Sequence, residues 1–314
     1  MKSFLLKVLV FSSPVIIGAL ALELFIRYSP NAFNAKANYV NTHAGELELL
    51  VFGSSHNQNA VNPEFLPFSS ANLAYGGQDL KLDSALLFKI GPKCSSLKAV
   101  VFELDYHSLE ELNDSNYFRL AWYNQIYGIK HGRIPWLSQI SLYASEPDFF
   151  NDHIKRTFDP REYKYDMNEF GFLRNDFPGV FLSNQNDSSK IAQSSASRLA
   201  SRHTTLSVEN YHRNVSCLKS MINYCTSNNV KVFLVASPMY STYIDREKQE
   251  KLDRRFELIK SIVDDKDVYF LNFEKDKRFQ LTDFKNDDHL NSSGAEKYTK
   301  ILGDTLIKLL PVLP

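Results

Sequence analysis

The stretch LLVFGSSHNQNAVNP, Leu49 to Pro63, decides how the rest of the chain is read. Leu49, Leu50, Val51 and Phe52 form an uninterrupted apolar run, the pattern of a strand covered on both faces, and Gly53 lets the backbone turn where the run stops. The polar cluster Ser54, Ser55, His56 and Asn57 then falls at the strand's carboxyl end. In open α/β sheets that rim collects ligands and chemistry, because its loops are held by a rigid scaffold and flanked by helix amino termini. An ordinary strand-to-helix loop also uses serine and asparagine, for local backbone hydrogen bonds, so the cluster needs a second observation before it counts as a site.

Working outward, SSANLAYGGQDL reads as a short second strand over 72–74 ending at Gly76-Gly77, LDSALLFKI as a helix, and LKAVVFEL, 97–104, as a third strand. Val208, Tyr211, Val215, Leu218, Met221, Ile222 and Cys225 recur at helical spacing before the strand VKVFLVAS, 230–237. A charged helix over about 246–264 leads to VYFLNF, 268–273. Ala295, Tyr298, Leu302, Leu306 and Leu309 mark a closing helix, with Ser293 to Glu296 as an expected capping box. Five strands alternating with helices predict a three-layer α/β/α sandwich with a mainly parallel five-stranded sheet.

The alternation fails between about 106 and 205. Tyr117, Phe118, Trp122, Tyr123, Tyr127, Trp136, Phe149, Phe150, Phe170 and Phe172 crowd this segment, which closes in the polar run SNQNDSSKIAQSSASRLASRH. The expectation is a largely helical insertion over the sheet's carboxyl rim, able to act as a lid, with its aromatics as its own core and the polar run mobile or solvated.

At the amino terminus, Lys2 and Lys7 precede an uncharged run from Val8 to Leu22, then Glu23 and a second apolar patch. Phe4 to Ile26 gives about 34 Å of helix at about 1.5 Å per residue, enough to span a bilayer. Early lysines favour a cytoplasmic amino terminus, leaving everything after about Arg27 outside. Ala19-Leu20-Ala21 also resembles a signal-peptidase site, so a retained anchor, a cleaved signal and a buried helix all stand as readings. The division expected is an anchor or signal over 1–28, a small and polar stalk over 29–45, and the main domain over 46–314.

At 314 residues, 44% hydrophobic and 23% charged, the composition is globular. Lys+Arg and Asp+Glu both total 36, so no global field recruits nucleic acid. Cys94, Cys217 and Cys225 carry no zinc spacing and allow at most one disulfide. Their expected role is small core filler.

The second observation lies in FKNDDHLNSSGAEKY, Phe284 to Tyr298. His289 falls after the last strand and before a capped helix, which in a doubly wound sheet puts it on the same rim as Ser55. A serine is a weak nucleophile until a positioned base takes its proton, and histidine is the usual base. Ser55 and His289 supply that pair; His56, His107 and His203 read as surface or loop residues.

With these blocks in view, the sequence resembles the SGNH (GDSL-like) esterases and acyltransferases. VFGSSH resembles their first block, matching the nucleophile to Ser55; NLAYGGQDL resembles their second, matching the oxyanion-binding glycine to Gly77, with Gly76 the alternative; DDHLNSSGA resembles the last, matching the catalytic histidine to His289. With the amino-terminal helix, the set is closest to the exported, membrane-anchored branch of the DltD-like teichoic-acid D-alanylation and alginate O-acetylation proteins. Two features depart from that family. The aspartate usually found three residues before the histidine is Asn286 here, so either Asp287 takes the supporting role, with Asn286 an alternative orienter, or the site is a Ser-His dyad. The family's third block, whose asparagine donates to the oxyanion, reads ELDYHS, leaving Tyr106, His107 or Ser108 as substitutes.

The resemblance implies a flavodoxin-like SGNH fold and an exported serine esterase or O-acyltransferase acting on an acylated cell-surface glycan, without cofactor or metal. Its implied partners are the glycan, the bilayer and an integral-membrane acyltransferase, not nucleic acid. The alternatives are a catalytically degraded SGNH domain that binds glycan or such a membrane partner, a metal-dependent hydrolase using His56, Asp287, Asp288 and His289, and a nucleotide binder, for which the first loop lacks a glycine-rich cradle.

Overall fold

The computed structural model describes residues 2–111, 119–159, 166–174, 181, 187–198, 203 and 206–310. The chain divides into two compact units, one of Met1–Ala35 with Asp114–Lys164 and one of Lys36–Asn113 with Tyr165–Pro314.

In chain order the elements are α1 (Lys2–Tyr28), α2 (Ala32–His43), β1 (Leu49–Phe52), α3 (Ser55–Ala60), β2 (Ser70–Asn72), α4 (Leu80–Ile90), β3 (Ala99–Glu103), α5 (Trp136–Ile140), α6 (Pro147–Phe158) and α7 (Ser188–Arg198). They continue with α8 (Val208–Ser227), β4 (Lys231–Ala236), α9 (Gln249–Ile262), β5 (Val268–Asn272), β6 (Phe284–Asn286), β7 (His289–Leu290) and α10 (Ser292–Leu309).

The larger unit carries the five-stranded sheet expected from the alternating pattern, in the order β2-β1-β3-β4-β5. Every pairing in it is parallel. Strands β1 and β3 are buried at every position, as uninterrupted apolar runs require when helices cover both faces. The register aligns Val51 with Val101 and Val101 with Phe233. Side chains alternate across a sheet, so Leu49, Val51, Ala99, Val101, Phe233 and Val235 form one core with Tyr298, Leu302 and Leu306 of α10. The alternate positions, among them the stacked Phe52 and Phe102 at 5.4 Å, face the opposite layer. There α4 and α8 pack on each other and α8 lies against β4. The order reverses at β1, with β2 on one side and β3 on the other, so the carboxyl ends of β1 and β3 flank the crevice where doubly wound sheets place their sites.

Two local expectations shift. The second strand is Ser70–Asn72, earlier than the 72–74 read from the sequence. Helix α10 is capped by Asn291, whose Oδ1 accepts the Gly294 amide at 2.9 Å, and not by a box beginning at Ser293. Gly294 is required there, because a Cβ would lie 2.1 Å from the Asp283 carbonyl oxygen. The β6–β7 hairpin feeding this cap has no counterpart in the sequence reading.

In the smaller unit, α1 contains Leu6–Tyr28, 23 residues of mean hydropathy 2.2 and only 6% buried, long and apolar enough for a membrane anchor or a signal sequence. Its carboxyl end is held within the unit: Glu23 accepts from the Ser141 hydroxyl at 2.8 Å and the Leu142 and Tyr143 amides at 2.9 and 3.3 Å. Arg27 pairs with Glu23 at 2.7 Å and donates to the Ile140 carbonyl at 2.9 Å. Trp122 stacks between Phe33 and Phe150, at 5.1 and 5.4 Å, so part of the aromatic crowd is core as expected. Trp136, 70% exposed, is not.

The stretch expected as a single insertion is divided, with Asp114–Lys164 grouping with the amino-terminal helix and the remainder with the sheet. The stretch expected as a stalk contains helix α2, whose Lys36, Ala37 and Val40 are buried. Tyr117 and Phe118, and residues 183–186 and 199–202 of the polar run, lie outside the described residues; the rest of the run includes α7, with Ile191 buried, and the buried His203. Among the described residues the three cysteines are free.

Candidate active site

The turn after β1 is set by a buried carboxylate. Gly53 adopts φ 138°, and a Cβ on it would fall 2.6 Å from the Cβ of Glu103, so no larger residue lets the end of β1 approach β3 so closely. Glu103 then accepts the Ser54 amide at 2.8 Å, the Asn57 amide at 3.0 Å and the Ser54 hydroxyl. Burial pushes its carboxyl up to about 7. Ser54 caps α3 and Ser55 is the helix's first residue, half-buried at the end of the strand.

The β6–β7 hairpin brings the distant half of the site. His289 opens β7, and its Nε2 lies 2.8 Å from Ser55 Oγ, closing a separation of 234 residues. Its Nδ1 donates to Asn286 Oδ1 at 2.9 Å, a contact fixed because the two residues are paired across the hairpin. Asp288 Oδ1 stands 2.7 Å from the same nitrogen. The imidazole therefore has an uncharged acceptor that sets its tautomer and a carboxylate that offsets its charge. The expected supporting carboxylate, Asp287, does not occupy this position: it is fully buried, and its carbonyl receives the Tyr240 amide at 3.0 Å. Asp287 and Asp288 form the turn between β6 and β7, and of the two it is Asp288 whose carboxylate faces the ring.

Behind Asp288 lies a second layer. Its Oδ2 is 3.7 Å from His56 Nε2, and His56 Nδ1 is paired with Asp105. Asp105 also accepts the Ser237 amide at 2.9 Å, and the Ser237 hydroxyl donates to Asn57 at 3.2 Å, so the carboxyl ends of β1, β3 and β4 are tied into one network. Burial opposes charge on His56, but Asp105, Asp288 and Glu103 outweigh it and hold the ring protonated well above the ordinary histidine range. Burial likewise opposes the Asp288 carboxylate, and His289 and His56 together hold it well below its ordinary range.

His56, His107 and His203, read from the sequence as surface or loop residues, are buried at 2%, 4% and 7% exposure. His107 lies 3.3 Å from Ser54 Oγ and stacks on His203 at 4.4 Å between ring centroids. Burial, aided by the neighbouring histidines, keeps His107 neutral well below its usual range and takes His203 down to about 3. The cluster thus holds one cation between two carboxylates, beside two rings that resist protonation.

The residues expected to complete the oxyanion hole divide. Gly77 lies in the turn between β2 and α4 with φ 76°, and the adjacent Gly76 amide donates to Gln58 of α3 at 2.5 Å, which ties that turn to the serine's helix. The substitutes in ELDYHS point elsewhere: the Tyr106 hydroxyl receives the Lys248 amide at 2.8 Å, and the Ser108 hydroxyl receives the Asp105 amide at 3.0 Å. Glu103 takes the amides of Ser54 and Asn57 and leaves that of Ser55 for other use.

Two groups, His56 with Asp288 and His289, and His56 with Glu103 and His107, offer ligand atoms within 4.8 Å of one another. A cation held between Asp288 and His289 would replace their present contact, while the His56 Nδ1–Asp105 pair would be kept if His56 bound through Nε2.

Sequence reasoning missed Glu103 and Asp105, although a signal was present: FELD places two acids at the end of an otherwise apolar strand, where a charge must have a partner. No family model and no curated protein matches the chain. Among solved structures, one described as that of "a putative platelet activating factor from Streptococcus pneumonia" is 10% identical, covering 95% of this chain and 98% of its own, with a TM-score of 0.41; at that score and identity the likeness supports no inference about this chain's chemistry.

Proposed function

We propose that the protein is an exported, membrane-anchored, serine-dependent esterase or O-acyltransferase of SGNH type, acting on acyl groups of a cell-surface polysaccharide. The observation that carries the reading is the 2.8 Å contact between Ser55 Oγ and His289 Nε2, with Asn286 and Asp288 on the other ring nitrogen.

In this reading Ser55 Oγ attacks the acyl carbonyl as His289 Nε2 removes its proton. Asn286 keeps the remaining proton on Nδ1, and Asp288 stabilises the imidazolium as it forms. The Ser55 amide and the Gly77 turn supply donors to the oxyanion. Collapse transfers the proton to the departing alkoxide and leaves an ester on Ser55. Water or a sugar hydroxyl, deprotonated by His289, then takes the acyl group and restores the serine. The glycan as substrate rests on the resemblance of VFGSSH, NLAYGGQDL and DDHLNSSGA to the exported branch of that family. Export rests on α1.

One observation favours a second reading, a domain that binds glycan or an integral-membrane acyltransferase without turnover: Tyr106 and Ser108 are committed to backbone groups rather than to an oxyanion. The deciding experiment uses the full chain in detergent with 4-nitrophenyl acetate and a fluorophosphonate probe, beside Ser55→Ala and His289→Ala. Turnover and labelling that vanish in both variants support catalysis; a folded wild-type chain that neither turns over nor labels at Ser55 refutes it.

A further inference from the structure

The amino-terminal helix poses a problem of thickness. Between Lys7 and Glu23 lie only the uncharged residues Val8 to Leu22, about 22 Å of helix at about 1.5 Å per residue, against a hydrocarbon core of about 30 Å. A span of that length draws Glu23 and Arg27 toward apolar depth unless something beside the helix accommodates them. The smaller unit does so: the Glu23 carboxylate is neutralised by Arg27 and receives one hydroxyl and two amide donors from Ser141, Leu142 and Tyr143.

The same contacts press an apolar surface against the end of α1. Trp136, Leu137 and Ile140 fall within about 100° of one another around α5, at 70%, 48% and 63% exposure. Arg27 grips this helix through the Ile140 carbonyl at 2.9 Å. Phe158, at the end of α6, stacks on Phe25 of α1 at 5.5 Å while staying 70% exposed. His153 of α6 meets Ser29 at 2.9 Å, a second tie between α6 and the segment just after α1. Tyr28, the last residue of α1, is 83% exposed. Lys130 and Arg133, both exposed, immediately precede α5.

We propose that α5 and the carboxyl end of α6 form a collar in the lipid interface, with the bilayer surface covering Trp136, Leu137, Ile140 and Phe158. Lipid is the occupant because these side chains continue the apolar surface of α1, whose spanning stretch is only 6% buried. Aromatic rings are the side chains that settle at headgroup level. The collar widens the apolar footprint where the span is short and fixes the depth at which Glu23 and Arg27 lie. The inference rests on α1 being retained in the membrane.

The test is flotation and quenching of the full chain reconstituted in phosphatidylcholine–phosphatidylglycerol vesicles, with and without acyl-brominated phosphatidylcholine. The described tryptophans are Trp122, buried at 3% exposure, and Trp136. Brominated lipid is expected to quench wild-type emission, and Trp136→Phe to lose the quenchable fraction while still floating with the vesicles. Co-flotation with no quenching, or with quenching unchanged in Trp136→Phe, overturns the collar and leaves the anchor standing. Failure to float overturns the anchor and the collar with it. Trp136 shielded from bromine in a chain that cross-links to itself assigns the patch to a second copy and overturns the lipid assignment.

Discussion

Replacing Asp288 by asparagine isolates the electrostatic part of the proposed base. The substitution keeps size and leaves Asn286 as acceptor from Nδ1, so the tautomer survives and only the charge is lost. At the observed 2.7 Å and an effective dielectric of about 20, a carboxylate and an imidazolium attract by about 6 kcal/mol. Roughly half of that is recovered through the retained Asn286 contact and solvent relaxation, leaving about 3 kcal/mol of transition-state stabilisation, on the order of a 10²-fold loss in kcat/KM. His56 sharpens the loss, because its positive charge, 3.7 Å from the aspartate, then repels the imidazolium with one neutralising carboxylate fewer. The assay is kcat/KM on 4-nitrophenyl acetate with fluorophosphonate labelling rates, in parallel with Asp287→Asn and with thermal melting as a control for folding. Asp287→Asn is expected to stay within about fivefold of wild type, because that side chain is not on His289. A folded Asp288→Asn chain within threefold of wild type, or an Asp287→Asn loss of equal size, would refute the assignment.

Three further outcomes are expected. Asp105→Asn removes the nearest of the three carboxylates that hold a cation on His56, in a pair whose side chains are 1% and 0% exposed; breaking such a buried pair costs about 3–5 kcal/mol, read as a lower urea midpoint, and an unchanged midpoint contradicts the charged pair. His203 is held down to about 3, so between that pH and its unfolded value near 6.5 the unfolded chain binds the extra proton. Stability is then complete above about pH 6.5 and falls by up to about 1.4 kcal/mol per unit as the pH drops, and His203→Asn is expected to flatten that slope in urea titrations at pH 7, 6 and 5. Gly53→Ala forces a Cβ to 2.6 Å from Glu103 in a conformation L-residues avoid; a loss of about 1–3 kcal/mol together with slower probe labelling of Ser55 is expected, and wild-type behaviour in both would mean that the turn yields freely.

The sheet was legible because each strand is a short apolar run that must be covered on both faces, and helical spacing of apolar residues between runs leaves few other folds. Ser55 and His289 were legible for a related reason: a polar cluster directly after a buried strand can only lie on the rim. Asp288 was not, because sequence order says nothing of which of two neighbouring aspartates faces the ring, and that is decided by the β6–β7 hairpin. The burial of His56 escaped notice since polar residues after a strand read as solvated; its main counter-charge, Asp105, lies 49 residues away, just past the end of β3. The grouping of Asp114–Lys164 with the amino-terminal helix depends on Glu23 and Arg27, which the sequence marks only as charges at the end of an apolar run.

The 234 residues between the proposed nucleophile and its proposed base have a temporal meaning. The serine's turn is complete early in synthesis, since β1, α3 and β3 all lie in the first third of the chain, yet no base faces it. That contact waits for the hairpin at 284–290 and for α10, which is latched to the end of α3 by Thr299, accepting the Asn62 amide at 3.0 Å and donating to the Ala60 carbonyl at 3.1 Å. Half-made chains, and chains clipped near the carboxyl terminus, therefore carry Ser55 without its His289 partner. If Ser55 is the nucleophile proposed above, its reactivity becomes a certificate of completion, issued only when the last helix has docked, and a fluorophosphonate probe applied during refolding would time that event directly.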